Sequence, residues 1–207
     1  MAYSLIEHRH RFAAWAAGRA AGTKGCRFAV EEGRGLIEGT DIPLYAADRQ
    51  GAPETPEDFD GRHRLWREQM VAQAQAKRIG GANGCFTHGV AAKLINIYLK
   101  LTVICSLSPL AQEEPSRADI IHPPIDRLLL LALAQHAKVA EPFKRTSDCH
   151  WRKYAALGWS NFNSEDYENV IGEVRRFSNG KPLWTIEEYW IGHQSGDKGV
   201  IINHDDF

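Results

Sequence analysis

Residues 89–100 read Gly-Val-Ala-Ala-Lys-Leu-Ile-Asn-Ile-Tyr-Leu-Lys, and residues 122–130 read His-Pro-Pro-Ile-Asp-Arg-Leu-Leu-Leu. The first segment belongs to a nearly all-apolar stretch from Val90 to Cys105. A helix that is apolar on almost every side belongs in a protein interior. Its polar exceptions are Lys93, Asn96 and Lys100, whose helical spacing puts them on one stripe. A line of donors along a core helix is suited to lining a cleft. The plainer alternative is that Lys93 and Lys100 carry their heads to solvent over apolar stems. In the second segment prolines favour a first helical turn, so a helix is expected from His122 to about Lys138, with Asp126 near its third position. A carboxylate there meets free backbone amides and the positive end of the helix dipole, although an ordinary helix-start acid sits in the same place. Desolvating a charge is costly, so an amine and an acid on two core-like helices are expected to be paired or used.

Outward from these segments the pattern stays helical. Ser4 to Ala21 carries Phe12, Trp15 and Ala16 at helical spacing and ends at Gly22-Thr-Lys-Gly25. A second helix is expected from about Arg27 to Ile37. The stretch 39–57, with Pro43, Gly51, Pro53 and Pro56, reads as a loop. Asp58 or Asp60 would cap a helix running through Trp66 and Val71 to Arg78. The glycine-rich Gly80–Gly84 follows, and Thr87 caps the helix of the opening segment, through Cys105. Residues 106–119 form a polar connector. A proline-containing turn near Glu141 precedes a short helix around Trp151 to Leu157. Ser164 caps a helix through Phe177 that Asn179-Gly180 stops. Leu183 to Ile191 makes a last helix, and Lys198 to Ile202 a short strand. The chain is thus expected to be mainly α and a single domain over 1–207.

A chain of 207 residues with 43% hydrophobic and 25% charged content has an ordinary globular composition. No fully apolar run reaches the roughly 20 residues that span a bilayer, and the N-terminus lacks a secretory core, so a cytoplasmic location without membrane contact is expected. The four cysteines, Cys26, Cys85, Cys105 and Cys149, make no Cys-x-x-Cys pair, so they read as idle thiols. His8-x-His10 has two-ligand spacing on a strand, but the region reads as helix; Cys149-His150 are neighbours that do not easily face one ion, and His204-Asp-Asp206 sits near a chain end, so no metal or other cofactor is assigned. No phosphate-loop or dinucleotide glycine pattern appears. The net charge of −1 is unusual for a nucleic-acid binder. Basic residues nevertheless collect in 8–34 and in 62–78, the latter with Arg62, His63, Arg64, Arg67, Lys77 and Arg78 against Glu68 alone. Such patches attract phosphate, or are simply solvated helix faces.

One amine and one fixed carboxylate suit cleavage of a base from deoxyribose. The carboxylate stabilises positive charge at C1′ or activates a water. The amine, its pKa lowered by desolvation and by a neighbouring cation such as Lys100, attacks C1′ and forms a Schiff base. The segment Gly89–Lys100 followed by His122–Leu130 resembles the core of the helix-hairpin-helix DNA glycosylases. It is most similar to the archaeal-type 8-oxoguanine glycosylases and small proteins of the 8-oxoguanine-glycosylase fold. The resemblance spans about residues 80–138. It implies that Lys93 is the nucleophile and that Asp126, in a Pro-Ile-Asp segment, assists. It implies a two-lobed helical glycosylase-like fold, with lobes of 1–79 joined by 139–207 and a hairpin and catalytic core of 80–138. Where the family hairpin reads Leu-Pro-Gly-Val-Gly, this chain has Gly80-Gly-Ala-Asn-Gly-Cys-Phe-Thr-His-Gly89.

The resemblance further implies a base-flipping enzyme on double-stranded DNA, leaving an abasic site and possessing or lacking lyase activity. It would act as a monomer, associated with the nucleoid. The base would resemble 8-oxoguanine, or be a modified base of invading phage DNA in a defence role. Asn96, Lys100, His122, Phe86 and His88 are candidate substrate contacts, and Gly84 and Gly89 candidate contacts to the DNA backbone. A flipped base stacks on an aromatic ring, and Trp15, Trp66, Trp151, Trp159, Trp184 and Trp190 are all candidates. Two other readings stand beside this one: a non-catalytic helical protein that binds nucleic acid or another protein, and a metal nuclease using the histidines.

Overall fold

The computed structural model describes residues 3–48, 54–80, 85–106, 117–137 and 147–190, and among these every regular element is helical. In chain order these are α1 (Leu5–Ala21), α2 (Val30–Glu38), α3 (Ile42–Ala47), α4 (Pro56–Ala76), α5 (His88–Thr102), α6 (Arg127–Ala137), α7 (Ser147–Leu157) and α8 (Ser164–Ser178). Short 3-10 turns cover Ile104–Ser106, Arg117–Ile120, Trp159–Asn161 and Leu183–Tyr189. The mainly α expectation holds. The Lys198–Ile202 strand, the turn near Glu141 and most of the Gly80–Gly84 segment lie outside the described residues.

The helix starts follow from local chemistry. Ser4 Oγ accepts the Glu7 amide, and Thr87 Oγ1 accepts the Val90 amide, each satisfying one of the unpaired amides of a first turn. The cap of α4 is Thr55, whose hydroxyl accepts from the Asp58 amide, and not Asp58 or Asp60. Pro56 pushes Thr55 into the extended conformation that a cap needs. Asn163, rather than Ser164, caps α8, and the left-handed Asn179 closes it. The helix α3 stands inside the stretch 39–57 that read as a loop. The last helix is a 3-10 turn ending at Tyr189.

Two hydrophobic cores divide the chain. The first gathers α1, α2 and α4 around Val90, Ala91, Leu94, Ile95, Tyr98 and Leu99 of α5, and reaches as far as Ile121. The inward face of α1 is small: Ala13, Ala14, Ala17, Gly18 and Ala21, which lets α1 and α5 approach closely. The second core joins Ile125, Leu129, Leu130 and Leu133 to Trp151, Phe162, Tyr167, Val170 and Ile186, and takes Ala92 from α5. The described part of 139–207 therefore shares its core with α6, rather than with 1–79 as expected. It is tied to the first core by a polar seam between α4 and α8 and by the Trp159–Asn161 turn, which packs against α5. His88–Ser106 is long and apolar enough to cross a membrane, although no fully apolar run of that length occurs, and most of it is buried inside the protein.

Candidate functional site around Lys93 and Asp126

Lys93 lies on α5 where the two cores meet. It is 7% exposed, and its Nζ donates to Asp126 Oδ2 at 3.2 Å and to the Ile125 carbonyl at 3.2 Å. The ammonium also sits 5.5 Å from the centre of the Trp159 ring. Burial lowers its pKa below the ordinary lysine value, while Asp126 works in the opposite direction. Asp126 precedes α6. Its Oδ1 accepts the Leu129 amide at 2.9 Å, so it caps the helix instead of occupying its third position. The segment before it stays outside the helix because Pro123 and Pro124 drive their preceding residues out of helical conformation. One carboxylate thus uses one oxygen to hold a helix end and the other to face a desolvated amine.

The remaining candidates separate clearly. Asn96, one turn beyond Lys93, is fully buried: its Nδ2 donates to the Pro123 carbonyl and to Tyr167 Oη, both at 2.9 Å. It anchors the segment that carries Asp126 and does not point into open space. Lys100 pairs with Glu187. His122 is a buried histidine with both ring nitrogens engaged, by Tyr167 Oη at 3.1 Å and Asp60 Oδ1 at 2.8 Å, so it is not free to contact a substrate. Phe86 is a core residue against Phe28, not an exposed stacking face. His88 is partly buried with an unpartnered Nδ1, and burial, then Arg67, depress its pKa.

Gly89 does not offer its amide to a phosphate, because it donates to the Phe162 carbonyl at 3.0 Å. A Cβ there would lie 1.8 Å from the Trp159 carbonyl oxygen. Glycine is required so that α5 can seat against the 159–162 turn, which brings Trp159 over Lys93. Gly84 lies outside the described residues. Among the tryptophans, Trp66 and Trp151 are core, Trp15 stacks on Phe12 at the surface, and Trp159 is the one placed at Lys93.

Sequence reasoning missed the polar chain behind the site. Arg67 donates to His63 Nδ1 at 3.2 Å, and His63 Nε2 donates to Asn96 Oδ1 at 2.9 Å. Through Tyr167 and His122 the chain runs on to Asp60, which Arg175 grips with both nitrogens. The signal available was Asp60, His63 and Arg67 on one stripe of α4. The basic patch 62–78 is also less basic than it reads. His63 and Arg67 point inward, and Arg62, Arg64 and Arg67 each pair with an acid. Among the described residues no three His, Cys, Asp or Glu side chains are grouped as for a metal ion. Comparisons with protein-family models, with curated proteins and with solved structures return no match to this chain.

Proposed function

We propose that the chain is a base-excising enzyme: a DNA glycosylase with a two-lobed helix-hairpin-helix glycosylase-like fold, its lobes corresponding to the two cores that meet at α5. Its substrate is a double-stranded DNA carrying an altered base, either a base like 8-oxoguanine or a modified base of phage DNA in a defence role. It acts as a monomer in the cytoplasm, at the nucleoid. The observation that carries this reading is the desolvated Lys93 amine 3.2 Å from a carboxylate fixed at a helix start.

A flipped nucleotide brings C1′ to the amine. As the C1′–N bond breaks, its electron pair leaves with the base, which takes up a proton. Asp126 stabilises the positive charge building at C1′. The Lys93 nitrogen gives its pair to C1′ and loses a proton, and opening of the C1′–O4′ bond, with a proton to O4′, leaves an imine. Burial favours the neutral amine that this step needs, and the indole of Trp159 supplies an aromatic surface beside it.

The test is incubation with duplexes carrying different altered bases, with borohydride present. Lys93→Gln is expected to abolish covalent trapping, and Asp126→Asn to slow base release by about 100-fold or more, with circular dichroism unchanged. Base release without trapping leaves Asp126 and water as the agents. If no duplex loses a base and Asp126→Asn alters stability alone, the pair is a structural ion pair and the non-catalytic reading replaces this one.

A further inference from the structure

A second site lies on the other side of α5. A cavity of about 520 Å³ opens between α1, α3 and the C-terminal half of α5. Its walls are largely apolar: Ile6, Pro43, Leu44, Ala46 and Ala47, over a floor formed by Tyr98 and Thr102. That size and lining are typical of small-molecule sites, which pair an apolar body with a few placed polar groups. Two of its wall residues are among the most exposed large hydrophobics of the chain, Leu44 at 74% and Ile6 at 71%. Apolar side chains left in water around a cavity are the groups a ligand would cover.

The charges around the cavity are sorted by sign. Glu38 accepts from His10 Nε2 at 2.9 Å and from Arg34 Nε at 2.7 Å. Glu7 is engaged by Arg11. His10 is also satisfied, its Nδ1 accepting from Tyr98 Oη at 2.8 Å. Both acids at the rim are therefore already neutralised by cations on their own helices. Arg9, which also lines the cavity, has no ion-pair or hydrogen-bond partner among the described residues. An unpaired guanidinium presents a planar fork matched to a carboxylate.

We propose that this cavity binds a small amphipathic acid, with its apolar body between α1 and α3 and its carboxylate on Arg9. The site is separate from Lys93 and does not depend on the glycosylase reading. Titration calorimetry of the whole chain with octanoate and naphthoate tests it, with octylamine as the charge-reversed control. At least one acid is expected to bind and octylamine is not. Arg9→Gln should weaken binding at least tenfold, while Arg9→Lys, which keeps the charge but not the fork, should restore only part of it. Ala47→Trp, at an exposed rim position, should abolish binding by filling the cavity, with circular dichroism unchanged. Lys93→Gln should bind as the native chain does. The proposal is overturned if neither acid binds, if octylamine binds equally well, if Arg9→Gln and Ala47→Trp leave binding intact, or if Lys93→Gln removes it.

Discussion

At Lys93 two influences compete. Burial favours the neutral amine, and Asp126 favours the ammonium; burial wins, so the pKa falls below its ordinary 10.5. Between the folded value and 10.5 the unfolded chain holds a proton that the native chain has released, so this residue adds stability as pH rises through that window. Removing Asp126 takes away the largest influence that raises the pKa, leaving only Glu187 on that side. Asp126→Asn should therefore move the rising limb of borohydride trapping to lower pH even as its maximum falls. The measurement is trapping yield across the neutral and alkaline range for both proteins. A limb that stays in place would mean that the trapped amine is not Lys93. Asn96 offers a second test at this scale. Asn96→Ala leaves the Pro123 carbonyl and a His63 ring nitrogen without their partner, and takes from the Tyr167 hydroxyl one of its two. Each unmet buried group costs about 1–3 kcal/mol, so the loss should be roughly 3 kcal/mol or more by urea unfolding.

At the scale of elements, helices were more legible than their caps. Thr87 announces α5 because a hydroxyl three residues before an amide is enough, but the same geometry at Thr55 and Asn163 was hidden by the acids and the serine that follow them. The start of α6 was misplaced because the same prolines that favour a first turn also extend the residues before them, so Asp126 became the cap. The helix α3 was hidden because a short stretch, Ile42–Ala47, held by one buried residue, has no periodicity to read. Lys93 and Asp126 were legible as a pair because charge in an apolar helix needs a partner. The partnership of His63, Asn96 and Tyr167 was not, since three distant segments supply it. Gly89 sits between these cases: the sequence marks the glycine but not its reason. Gly89→Ala would force a methyl group into the Trp159 backbone carbonyl. It should destabilise the chain by about 2 kcal/mol or more, read by urea unfolding, because backbone rather than a mobile side chain must move.

At the scale of the whole molecule, two cores are joined across α4, α5 and α8 by a hydrogen-bond chain with one consistent direction. Arg67 donates to His63, His63 to Asn96, Asn96 to Tyr167, Tyr167 to His122, and His122 to Asp60. The direction holds only while both histidines are neutral, each with one ring nitrogen donating and the other accepting. A proton added to His63 Nδ1 would face the Arg67 guanidinium, and one added to His122 Nδ1 would displace the Tyr167 donor. Burial depresses both histidines below 6.5, His63 strongly; the charges of His122 and Arg67 add to this for His63, whereas Asp60 opposes it for His122. Below pH 6.5 the unfolded chain binds protons that the native chain refuses, so stability must fall as pH drops, by up to about 1.4 kcal/mol per pH unit for each histidine. Melting temperature should decline steadily as pH falls below 6.5. His63→Gln should make that decline shallower. Asp60→Asn should make it steeper, because His122 then loses the carboxylate that supports its charged form. A melting temperature unchanged through this window would mean that the rings accept protons in place and that the directed chain does not join the two cores.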